Sequence, residues 1–193
     1  MANGRVITGY SKPYVAIYSV STTGVVSYSS GQVLARGVRV NISPDDASDN
    51  KFYADNIVAE SASTKFTTGT ATITVDGLKT AARKLILGLP AATSGWVHYG
   101  DSQSVPYVGF GCVVRYMEDG VTTYEPLVLP KIMFNQENTV AQTQEEEIDW
   151  QTTDLTAKIE RDDSTNHDWR LDGDAKTTEA LAEAEIKTLF SIS

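Results

Sequence analysis

Ala71-Thr72-Ile73-Thr74-Val75-Asp76-Gly77-Leu78-Lys79-Thr80-Ala81-Ala82-Arg83 changes its hydrophobic period from two to three or four, and the reading of the chain works outward from that change. Ala71, Ile73 and Val75 alternate with Thr72, Thr74 and Asp76, which puts the apolar set on one face of a half-buried strand. Beyond Gly77, the residues Leu78, Ala81, Ala82, Leu85, Ile86 and Leu89 form a helical stripe, with Lys79, Arg83 and Lys84 off it. The pattern predicts a strand feeding a helix near residues 77–88, with Asp76 as N-cap and Gly88 with Pro90 as the stop.

Upstream, Tyr14–Tyr18 and Gly24–Tyr28 read as short strands, and Gln32–Ile42 as a longer one ending in the turn sequence Ser43-Pro44-Asp45-Asp46. Strand signals over Lys51–Ala54 and Lys65–Val75 follow. Downstream of the helix, Ala91–Ser104 is rich in Gly, Ser and Thr and reads as an exposed loop. Tyr107–Met117 and Thr122–Phe134 flank Glu118-Asp119-Gly120-Val121, where Asp-Gly signals a tight hairpin. Pro126 and Pro130 in the second arm predict an edge strand or a bulge, because proline has no N–H for the ladder. Asn135–Glu147 is a polar connection, Leu155, Ala157 and Ile159 alternate in an amphipathic strand, and Thr178–Phe190 closes the chain as a helix with a Glu183/Lys187 pair.

These elements predict a mainly β protein: one antiparallel β-sandwich or barrel-like domain with one flanking helix and a C-terminal helix. Within it, residues 1–32 read as an N-terminal arm with an added strand pair, 33–170 as the β core and 171–193 as a C-terminal helical segment. A chain of 193 residues buries roughly 70% of its unfolded surface and needs no disulfide. Its single cysteine, Cys112, lies in an apolar run and reads as a buried structural thiol. The start of the sequence lacks the apolar core of a secretory signal, and no stretch approaches the roughly 20 apolar residues of a membrane helix, so synthesis and assembly in a cytoplasm are expected.

The net charge of −9 is unevenly distributed. Arg5, Lys12, Arg36 and Arg39 precede the first acidic residue, Asp45, whereas residues 145–174 carry eleven carboxylates against Lys158, Arg161 and Arg170. Opposite charge at opposite ends favours one docking register between neighbours. An acidic chain is poorly suited to clamping phosphates. Catalysis would rest on His167 with Asp163 or Asp168 and a serine, without a nucleophile elbow, and Asp162-Asp163 and Asp172-Gly173-Asp174 lack the spacing of a calcium loop. The expectation is a protein without enzymatic activity, metal or cofactor.

The order of the segments carries a resemblance. Leu34–Ile42, Lys51-Phe52-Tyr53-Ala54-Asp55, Ala71–Gly77 entering a helix, Pro106-Tyr107-Val108-Gly109-Phe110-Gly111, the hairpin into Leu127-Val128-Leu129-Pro130-Lys131-Ile132-Met133-Phe134, and Thr153-Asp154-Leu155-Thr156-Ala157 together resemble the major tail proteins of long-tailed, non-contractile bacteriophages, over Leu34–Arg170. The resemblance implies a virion tail tube protein, made in the host bacterial cytoplasm. Its subunits would form hexameric rings stacked as a hollow tube around a tape measure protein, meeting tail tip and terminator proteins at the ends. DNA would pass through an acidic channel without specific binding.

On this reading Asp154, Thr156 and Glu160 are candidates for a water-facing or lumen-facing strand surface. Inter-subunit contacts are expected from Asn3–Lys12 with Arg5 and Lys12, from Ser43–Asn50 with Asp45 and Asp46, and from Asn135–Glu147 with Glu145, Glu146 and Glu147, each ordering against a neighbour. The rival reading is a carbohydrate-binding or adhesive β-sandwich module using Trp96, Trp150 and Trp169 as stacking platforms. Within the structural class, the tube protein of a contractile tail or a related injection device is the other alternative.

Overall fold

The computed structural model describes residues 4–45, 50–54, 57–62, 66–139, 141, 143 and 151–192. Among these the order is β1 (Val6–Val20), β2 (Val26–Val33), β3 (Gly37–Pro44), β4 (Asn50–Ala54), β5 (Ile57–Ala62), β6 (Gly69–Val75), α1 (Thr80–Leu87), β7 (Val108–Glu118), β8 (Val121–Phe134), β9 (Thr153–Glu160), β10 (Leu171–Asp172) and α2 (Glu179–Leu189). The protein is mainly β, as the sequence predicts, with two helices among the described residues and an antiparallel sheet that does not close.

The large sheet runs β2-β1-β7-β8-β9-β6-β3, with β10 also on β8, while β4 and β5 form a separate hairpin between β3 and β6. Strand β8 turns the corner. Its residues from Val121 to Ile132 pair with β7, its last four pair with β9, and the ladder is bulged across Pro130. A long strand that changes partners at a bulge lets a single sheet fold over into two facing layers. The halves share one core: Val15, Phe110 and Cys112 from the β1–β7 side, Ile73, Leu155 and Ile159 from the β6–β9 side, and Ala82, Ile86 and Leu87 from α1. Coiling brings the two ends of the sheet together, since only Leu34, Ala35 and Arg36 separate β2 from β3. Four peptide links reach at most about 14 Å.

A second, smaller core lies on the opposite face of β1, β7 and β8, where Tyr14, Ala16, Val113 and Val128 meet Ala182, Ile186 and Phe190 of the α2 segment. Coverage on both faces accounts for the unbroken burial of Val108–Val114 in β7. It also accounts for two glycines there. A side chain at Gly111 would stand 2.7 Å from Ile186 Cγ2, and one at Gly109 would stand 2.9 Å from the Phe190 ring.

Local signals behave as read at several places. Asp119 and Gly120 take φ of 47° and 78° and turn β7 into β8, and Gly88 takes φ of 61° at the end of α1. Thr178, read as the start of the closing helix, stands one place before it as the N-cap and accepts from the Leu181 N–H. Cys112 is fully buried.

Other expectations are corrected. Asp76 does not cap α1. Its carboxylate accepts from the Arg36 backbone N–H at 3.0 Å and from the Arg36 guanidinium, joining the start of β3 to the end of β6, while Lys79 occupies the N-cap and the helix begins at Thr80. The run Gln32–Ile42 is two strands, because Leu34 turns inward to 1% exposure and its N–H bonds Pro13 O. The segment Val6–Lys12, expected to order against a neighbour, is the first half of β1 and pairs with β7 in the same subunit. Of the two readings of the arm holding Pro126 and Pro130, the edge strand is corrected, since the arm is interior to the strand order, and the bulge is found, across Pro130. Pro126 is accommodated because its C=O faces away from β7, accepting from the Gly173 N–H at 2.8 Å, so its missing N–H removes no β7–β8 bond.

Candidate assembly interface

Two surfaces follow from the register. The first is the outer face of β3, β6 and β9. Arg39 lies opposite Thr74 and Thr74 opposite Asp154; Asn41, Thr72 and Thr156 form the next row; Ser43, Thr70 and Lys158 form the third. The alternate rows, Val40-Ile73-Leu155 and Ile42-Ala71-Ala157, point into the main core. Period-two alternation in three strands at one register thus separates nine polar side chains from an apolar underside.

Asp154 and Thr156 therefore sit on a polar, water-facing surface, and Asp154 accepts the Thr74 hydroxyl at 2.6 Å. Glu160 shares the parity, is half-buried, and takes the Lys158 ammonium at 2.8 Å, which with desolvation opposing it holds its carboxyl below the usual range. Arg39 and Lys158 balance Asp154 and Glu160. The expected acidic wall is not what this face carries; it is neutral in sum and rich in hydroxyls.

The second surface is the pair of sheet edges. Among the described residues β2 pairs only with β1, and β3 only with β6. Each leaves a run of eight residues with one side unpaired. Val33 and Val38, near the adjoining ends of these edges, are each 54% exposed.

The other expected contact residues distribute as follows. Arg5 forms a bidentate pair with Glu125, with Nη2 to Oε2 at 2.8 Å, and lies over the Tyr116 ring at 4.1 Å. Lys12 meets Glu183 at 3.3 Å. Both cations are thus engaged within the subunit, and the carboxylates they meet lie far along the chain, beyond the reach of sequence pattern. Asp45 is exposed, with its backbone N–H tied to Thr68 O at 3.0 Å. Asp46, Glu145, Glu146 and Glu147 lie outside the described residues.

Sequence reasoning missed the role of Glu183. It accepts from the Tyr14 hydroxyl, from Lys187 at 2.9 Å and from Lys12, so its pKa falls to about 2, the Tyr14 hydrogen bond being the largest cause. Beside it, Ser11 donates to Glu179. These contacts fasten α2 to β1.

The groups considered for catalysis build a turn. Asp162 receives Ser164 Oγ at 2.7 Å and Ser164 N at 3.2 Å, while His167 Nδ1 lies 3.2 Å from the Asp162 carbonyl. Asp163 accepts from Lys131 at 2.8 Å and Tyr18 at 2.7 Å, which with Lys131 foremost lowers its pKa. Burial raises the Cys112 thiol pKa, disfavouring the thiolate. Of the tryptophans, Trp169 stacks on Phe66 at 4.3 Å, Trp150 lies outside the described residues, and Trp96 is 74% exposed.

Among the described residues no helix is long and apolar enough to cross a membrane. A scan of protein-family models and searches of curated proteins and of solved structures each find no match to this chain.

Proposed function

We propose that this chain is the repeating subunit of a tail tube, a structural protein that binds copies of itself through its open sheet edges, forms rings and stacks them into a hollow channel. The observation that carries the reading is the coiled but unclosed sheet, with edges at β2 and β3 that are unpaired among the described residues. An unprotected edge is a template for another strand, and pairing it with an identical neighbour removes the liability. Head-to-tail pairing closes where the rotation divides a circle and otherwise continues as a filament.

The polar face of β3, β6 and β9 adjoins the β3 edge, so joining edges would place these faces side by side as a wall. We assign that wall to the lumen. Balanced charge and hydroxyls give passing DNA few free cations to bind. The ordered segments that resemble major tail proteins support hexameric rings, a tape measure protein within and terminator and tip proteins at the ends. The work of the protein on this reading is assembly and passage, without a chemical step.

Electron microscopy of concentrated protein, together with light scattering, tests it. Rings or hollow tubes of constant diameter are expected. Material that stays monomeric, alone and when seeded with preformed tail tips, would refute it.

A further inference from the structure

The two halves of β1 are held differently. Tyr14–Val20 pairs with β2, its residues as far as Ile17 also pair with β7, and Tyr14, Val15 and Ala16 are buried. Val6–Ser11 pairs only with β7 among the described residues, and Val6 and Ile7 are 64% and 66% exposed. The joint between the halves is strained. The ladder shifts register between Ser11 and Tyr14, and Lys12 there takes φ of 55°, a left-handed conformation unfavourable for an L residue and more so before a proline. Close by, Tyr10 lays its ring on Gly37 and buries its hydroxyl without a hydrogen-bond partner among the described residues. Such features persist only where their surroundings hold them.

The holding falls to α2. Glu179, Glu183 and Lys187 stand four residues apart and form one row along the helix. That row meets the joint residue by residue. Ser11 donates to Glu179, Lys12 pairs with Glu183 at 3.3 Å, the Tyr14 hydroxyl donates to Glu183 at 2.5 Å, and the Lys187 ammonium lies 5.7 Å from the centre of the Tyr14 ring. Beyond the joint, Val6–Ser11 relies on its ladder to β7, on the Thr8 hydroxyl bonded to Arg115 O at 3.4 Å, on the Tyr10 ring and on the Arg5–Glu125 pair at its far end.

Helix α2 rests on the smaller core, through Ala182, Ile186 and Phe190, apart from the main one. It can leave its seat without opening the main core, as a local unit of low stability does. We propose that α2 is a clasp for the first half of β1: when α2 leaves its seat, the Lys12 joint relaxes, Val6–Ser11 loses its pairing with β7, and β1 begins at Tyr14. The Val113–Met117 side of β7 then stands open as a third sheet edge. The clasp is a property of the single subunit and does not rest on the tube.

Hydrogen exchange of the dilute protein, followed peptide by peptide, tests the clasp. Phe190→Ala loosens α2 and removes none of its polar contacts to Ser11, Lys12 or Tyr14. It should speed exchange of Val6–Ser11 at least about tenfold together with that of α2, while β6 and β9 keep their protection. Glu183→Ala, which cuts the row itself, should do the same. In the wild type, urea below the unfolding transition should open α2 and Val6–Ser11 with one free energy and one slope, a measurement that needs no variant to fold. Faster exchange of α2 with Val6–Ser11 unchanged, or separate slopes for the two segments in the wild type, would overturn the clasp.

Discussion

The β1–β7–β8 layer and the β3–β6–β9 layer belong to one antiparallel ladder, yet the first is covered on both faces and the second on one. Their sequences show the difference. Val108-Gly109-Phe110-Gly111-Cys112-Val113-Val114 is apolar or small at every position, whereas Thr70–Val75 and Asp154–Ile159 alternate. The covered layer is a scaffold. The half-covered layer keeps a polar face and an open edge available to water or to a neighbour.

Substitutions should separate the two. The largest effect is expected from Phe110→Ala in the covered layer, which empties a fully buried site and should cost about 3–5 kcal/mol in chemical denaturation. Gly111→Ala follows, at about 1–3 kcal/mol, because the added methyl meets Ile186 and Phe190. Proteolysis should show the α2 segment loosened before the rest.

Acid should act on the same attachment. Glu183 has a folded pKa of about 2 against an ordinary 4.5, so its contribution is fully present above 4.5 and is lost as the pH falls from 4.5 towards 2. Fluorescence or near-UV dichroism across that window should report weakening of the α2 attachment in the wild type, and a flatter response in Glu183→Gln. On the half-covered layer, Thr72→Ala or Thr156→Ala should change stability by no more than about 0.5 kcal/mol. A large loss there would mean that this face is buried against something in the free subunit.

What the sequence revealed divides by range. The change from strand to helix after Val75, the Asp119-Gly120 turn and the Gly88 stop are local, and each was legible. The full length of β1 was not, because register shifts between Ile7 and Gly9 and between Ser11 and Tyr14 break its alternation, and a bulge moves every later side chain to the other face. The interior place of β8 was hidden for another reason: strand order is set by distant partners, and its prolines fitted an edge as well as the bulge that the ladder has at Pro130. Asp154 and Thr156 could be placed on a polar face from alternation alone. Their neighbours Arg39 and Asn41 come from a strand more than a hundred residues earlier, and only the register brings them into the same rows. The charges of Arg5 and Lys12 were visible, but not that Glu125 and Glu183 take them up.

Amide hydrogen exchange in dilute and concentrated protein tests the central claim, that the open edges are used, most directly. The account predicts that the outward amides of Val26–Val33 and Gly37–Pro44 exchange freely in the dilute subunit and become strongly protected in the assembled one, while those of β7 are protected in both. Assemblies in which both edges continue to exchange at the dilute rate would contradict it.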